Sequence, residues 1–119
     1  MLYTESVSVL KRIKRKVKVY YIVKDQGNDD VVPDQVDLDQ YRSQVLTWEG
    51  LKVNYLAKLM RPEADEWMRR VSEEAVSDDV ALVDEEKDVE HSCRKFLAEM
   101  MVSMFSGRLK LRYVGELTN

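Results

Sequence analysis

His91 and Cys93 are the chain's only histidine and only cysteine, and they stand two residues apart. A thiolate activated by a neighbouring imidazole is a common nucleophile, so the pair invites a cysteine–histidine dyad. On a helix, however, residues two apart point about 200° away from each other and their side chains do not meet. Cys93 falls instead on an apolar stripe with Val89, Phe96, Leu97, Met100, Met101, Met104 and Phe105. A small core residue is the expectation there, with the methionines as core or as a pliable groove for a partner. One histidine and one cysteine leave no multi-histidine zinc set and no internal disulfide within one chain. Cysteine usage therefore points to a reducing, cytoplasmic setting.

The second group with chemical potential is acidic. Residues 78–90, DDVALVDEEKDVE, are dense in carboxylates, and Asp84, Glu85 and Asp88 are the ones best placed for contact with a partner. As calcium ligands such groups need a shaped loop, but the nearest match, beginning at Asp25, has Asp30 where the turn glycine belongs and Val36 where the terminal glutamate belongs. Pro33-Asp34 followed by Glu85-Glu86-Lys87 resembles the minimal motif of a large superfamily of metal-dependent nucleases, which would make the acids magnesium ligands and the lysine a water-positioning group. That chemistry wants both acids on adjoining strands, whereas here a long helical pattern separates them. No metal and no cofactor is expected, and a nuclease is the most distant of three functional readings.

The third group is basic. LKRIKRKVKVYY, residues 10–21, holds six of the nineteen lysines and arginines, although the net charge is −3. Both ends of the chain are basic and the middle is strongly acidic. Clustered cations release counterions from phosphates, and Tyr20 could stack on a base. The same lysines can instead keep an edge strand from aggregating, or dock an acidic helix. The acidic middle argues against a dedicated nucleic-acid binder.

The elements that must position these groups follow from periodicity. Residues 7–23 alternate, with the clearest strand at 16–24 and a weaker one at 5–10. RLKLRYV, residues 108–114, alternates again. Between them Leu38, Tyr41, Val45, Trp48, Tyr55 and Leu59 recur at helical spacing, interrupted by Gly50, so that one helix or two with Thr47 capping the second are both open. Pro62 with Glu63, Asp65 and Glu66 starts another helix, with Trp67, Met68, Val71 and Ala75 buried and an end near Val76. Ser77-Asp78-Asp79 caps a last helical stretch that Gly107 closes.

Strands at both ends and three to four helices between them predict one α+β domain over residues 1–119, its terminal strands antiparallel and packed on the helices. Lys14, Lys16, Lys18, Arg108, Lys110 and Arg112 would then share one outward sheet face. The apolar runs are too short to cross a bilayer, and no secretory h-region is present. The leading expectation is a soluble, non-enzymatic adaptor, assembly factor or inhibitor, a profile common among small phage-encoded proteins. It would bind a protein partner and self-associate, using the basic face and the acidic segment. Nucleic-acid binding by the basic face is the alternative.

Overall fold

Val80–Asp84, sequence VALVD, shows no alternation, and all five of its residues are buried. An apolar run buried on both sides is the mark of a central strand in a parallel sheet. Leu2–Ser6 is buried throughout as well. In this computed structural model, which describes residues 1–105 and 107–118, these two segments form the middle of a four-stranded sheet. The elements run β1 (Leu2–Ser6), α1 (Val7–Leu10), β2 (Lys18–Tyr21), α2 (Gln35–Arg42), α3 (Trp48–Leu59), α4 (Pro62–Ser77), β3 (Val80–Asp84), a 3-10 turn at Val89–His91, α5 (Cys93–Phe105) and β4 (Tyr113–Glu116).

The sheet order is β2-β3-β1-β4 and every pairing is parallel. Leu2 pairs with Val80 and Ser6 with Asp84 along the centre, and Lys18 to Tyr21 pair with Val80 to Val83. β4 joins β1 with an irregularity between Leu2 and Tyr3, where Gly115 takes a φ of +120° that a side chain would resist. The antiparallel α+β expectation is thereby corrected to α/β. The terminal strands do lie side by side, but α5 carries the chain from the carboxyl end of β3 back to the amino end of β4, which makes them parallel.

The two faces of the sheet are covered unequally. Leu2, Val80 and Leu82 point to one face, where α3, α4 and α5 supply Leu51, Tyr55, Leu59, Trp67, Met68, Val71, Leu97 and Met101 as the main core. Tyr3, Ala81 and Val83 point to the other, covered by Val7, Leu10, Ile13 and Val17 of the crossing strap 7–17. The β1-to-β2 connection runs one way along the sheet and the next two run the other way, so crossovers of one hand place them on opposite faces.

Three sequence expectations shift accordingly. The weaker strand expected at 5–10 is β1 followed by a single helical turn. The helical stretch expected from Ser77 is β3, then the 3-10 turn, then α5. Of the strand expected at 108–114, only its end joins β4. The helix around Gly50 is two: α2 ends at Arg42, and α3 begins with Thr47 accepting the Gly50 amide at 3.0 Å. Pro62 opens α4, and Ala64, Trp67, Met68, Val71, Ser72 and Ala75 form its buried side. Among the described residues no helix is long and apolar enough to cross a membrane.

Candidate functional site

In an open parallel sheet, ligands meet the protein at the carboxyl ends of the strands, where connections depart to opposite faces. Here that place is the carboxyl ends of β1 and β3, marked by Ser6 and Asp84, and the side chain that fills it is Arg94. Arg94 lies in the first turn of α5 on the stripe Arg94, Leu97, Ala98, Met101, so packing of that stripe against the sheet carries the guanidinium inward. It is fully buried.

Its donors are met by acceptors on β3, on the segment that follows it and on β4. Nη1 donates to Asp84 Oδ1 at 2.5 Å and to the Glu86 carbonyl, and Nη2 donates to Glu116 Oε1 at 2.5 Å. Nε reaches Glu116 Oε2 at 3.4 Å. Asp84 Oδ2 accepts the Arg94 amide at 3.0 Å, and Oδ1 accepts the Glu86 amide at 3.1 Å. Glu116 is also held by the Thr4 hydroxyl, which lies 2.7 Å from the Tyr113 hydroxyl. Arg94 thus ties β1, β3, β4 and α5 together through fork-shaped, charge-assisted bonds.

Burial opposes the Arg94 charge, but Glu116 and Asp84 outweigh it and hold the guanidinium above its ordinary value. Burial pushes the Asp84 carboxyl up while Arg94 and two backbone amides pull it back. Glu5, buried on the strap face with its carboxylate on the Ser6 amide at 2.9 Å, is also pushed up by burial and further by Glu116. The centre is a net acidic cluster around one cation.

Beside it lies a cavity of about 110 Å³ at the carboxyl ends of β2 and β3, roofed by α2. Cys93 lies along it with its thiol buried. Burial first, then Asp84 and Glu86, raise the thiol well above its usual range, and Arg42 opposes them. Burial, then Glu86 and Asp88, raise the Tyr41 hydroxyl likewise. His91 binds Asp88 through Nδ1 at 2.7 Å and packs edge-on against Trp48 at 5.6 Å.

A second concavity, about 730 Å³, runs between α3 and α5. Trp48, Leu56, Phe96, Met100 and Met104 line it, with Lys52, Lys95, Glu90 and Glu99 around them. Leu56 is 41% exposed and Met104 39%.

The residues singled out from sequence are dispersed by the fold. Lys14 and Lys16 are exposed on the strap. Lys18 pairs with Glu74 at 2.8 Å. Tyr20 donates to the same Glu74 at 2.5 Å and packs edge-on against Trp67, so it faces the core rather than a base. Arg108, Lys110 and Arg112 precede β4, at the edge of the sheet opposite β2. The expected shared basic sheet face is therefore absent: the two basic groups stand at the amino ends of the two edge strands. Asp84 is buried on Arg94, Glu85 borders the cavity, and Asp88 caps the 3-10 turn. Asp34 of the nuclease-like pattern precedes α2 and pairs with Lys58 at 2.9 Å, not with a strand acid. Among the described residues no group of three or more His, Cys, Asp or Glu is arranged to hold a metal ion.

Arg94, Glu116, Glu5 and Arg42 were not foreseen. The available signal was a basic residue three, four and seven positions before Leu97, Ala98 and Met101, inside a stripe that must be buried.

Fold and site together define a parallel α/β domain with an ion-pair cluster and a crevice at its strand carboxyl ends. The chain belongs to the family described as Domain of unknown function DUF488, which matches residues 8–101. The match takes in the cavity and Arg94, while Glu5 and Glu116 lie outside it. Comparisons with curated proteins and with solved structures return no match.

Proposed function

We propose that this chain is a non-enzymatic binding protein of the adaptor, assembly-factor or inhibitor kind, and that its α3–α5 groove takes an amphipathic helix of a protein partner. The supporting observation is the groove itself. Its apolar side chains are partly exposed, and Val53 and Met60, 65% and 68% exposed, extend the same outer side of α3. Contiguous apolar surface rimmed by polar groups marks an interaction site. Methionines at 100 and 104 suit a groove that adapts to helical anchors at i, i+3, i+4 and i+7. Rim charges of both signs favour a partner helix whose flanks also carry both.

The test uses a fluorescently labelled synthetic helix with leucine at those anchor positions and Glu/Lys flanks. Anisotropy should report saturable binding that Leu56→Lys with Met104→Glu abolishes. Both positions are exposed enough for the fold to survive, which circular dichroism checks. Absence of binding to wild type, or equal binding to the variant, overturns the reading.

A nucleic-acid role keeps one specific support: Lys11, Arg12, Lys14, Arg15, Lys16 and Lys18 are all exposed along the strap and the start of β2. Arg15 and Lys18 are engaged by Asp79 and Glu74. Under this reading, oligonucleotide affinity should fall linearly with log salt, with a slope reduced by Lys11→Glu and Lys16→Glu.

A further inference from the structure

The cavity under α2 is lined by opposite charges on opposing elements. Arg42 ends α2 and Lys24 follows β2; Glu85 and Glu86 follow β3. Ile22, Pro33, Leu51 and Cys93 are its buried apolar contacts. Asp84 also reaches it, but its carboxylate is taken by Arg94. Among the described residues no ion pair engages Lys24, Arg42, Glu85 or Glu86. The field is dipolar, since Asp84 and Glu86 push the Cys93 thiol one way and Arg42 pushes it the other. The cavity opens at the carboxyl ends of β2 and β3, one strand away from the β1–β3 switch point, and small-molecule sites combine an apolar lining with a few convergent polar groups.

We propose that this cavity binds a small zwitterion of the α-amino-acid class, its carboxylate toward Arg42 and Lys24 and its ammonium toward Glu85 and Glu86. A singly charged ligand would engage one wall only, whereas a zwitterion engages both at once. At 10–15 Å³ of such space per water-sized group, about 110 Å³ admits roughly eight heavy atoms, the size of alanine to threonine. The short side chain would lie against Leu51 and Cys93.

The experiment is isothermal titration of the full chain with glycine, alanine, serine and threonine, beside acetate and ethylammonium at equal ionic strength. One or more of the amino acids should bind at one per chain, with neither half-ligand binding measurably. Arg42→Gln and Glu85→Gln should each weaken that binding about tenfold or more, the loss of one charge-assisted hydrogen bond. Arg42 and Glu85 are exposed, so both variants should fold, and unchanged unfolding midpoints would confirm it. Three results overturn the proposal: no amino acid binds, acetate or ethylammonium binds as well as the zwitterion, or both variants bind like wild type. The α3–α5 groove lies outside this site, so its test stands or falls separately.

Discussion

Replacing Arg94 with methionine should be among the most damaging single changes in this protein, and in a pH-dependent way. The substitution keeps much of the apolar stem that packs beside Leu97 and Met101 but removes the guanidinium donors, leaving Asp84 only the Arg94 and Glu86 amides and Glu116 only the Thr4 hydroxyl. Breaking a buried ion pair by removing one partner costs about 3–5 kcal/mol, against a total stability of roughly 5–15 kcal/mol for a domain. At about 4 °C per kcal/mol for a chain of this size, the melting temperature should fall by roughly 12–20 °C. Burial already holds Glu5 and Asp84 above the ordinary carboxylate range, and Arg94 is the charge that pulls both down. A group with a raised folded value contributes stability that is fully present below its unfolded value, about pH 4, and lost as pH rises through the folded one. Without Arg94 that loss extends to higher pH, so the variant should be weakest at neutral pH and recover partly on acidification to about pH 5. Urea unfolding followed by tryptophan fluorescence at both pH values measures this. Adding Asp84→Asn and Glu116→Gln should restore part of the stability at neutral pH, because two of the three carboxylates left without Arg94 are then neutral, Glu5 being the third. An Arg94→Met protein as stable as wild type, or one equally weakened at both pH values, would refute the reasoning.

Two further outcomes follow from local geometry. A Cβ on Gly27 would sit 1.8 Å from the Tyr21 carbonyl oxygen, whereas one on Gly107 would meet nothing within 4 Å; Gly27→Ala should cost more than about 2 kcal/mol and Gly107→Ala less than about 0.5 kcal/mol by urea midpoint. Cys93 is buried and its thiol is held protonated, so an aromatic disulfide reagent should label it only as fast as the protein opens, and fully in urea; rapid stoichiometric labelling in native buffer would contradict the placement.

Local punctuation was legible in the sequence because each signal rests on one residue's own chemistry. Thr47 capping α3 and Pro62 opening α4 needed no tertiary information. The strand VALVD was not legible, since a run buried on both faces carries no period, and the acids on either side made it resemble the start of a capped helix. Missing that strand hid the parallel topology, and with it the edge where Arg94 and the cavity lie. The apolar surface of α5 was read as one broad face. The structure divides it, burying Cys93, Leu97, Met101 and Phe105 while leaving Phe96 and Met100 half-buried and Met104 exposed along the groove. The basic residues were identified correctly as a cluster in sequence, but their sharing of a face depended on a strand pairing that the chain does not make.

β3 is the partner through which both earlier strands enter the sheet: β2 pairs with it alone, and β1 pairs with it and with the still later β4. A chain emerging from a ribosome therefore has no sheet to form until residues 80–84 have cleared the exit tunnel. Until then, Leu2, Tyr3 and the apolar strap remain without the surface that shelters them. The helices of the middle segment can gather locally in that interval, but the closing of long loops onto β3 must come late, which favours slow folding and a period of dependence on chaperones. A translational pause at any point before residues 80–84 clear the tunnel should lengthen that exposed interval.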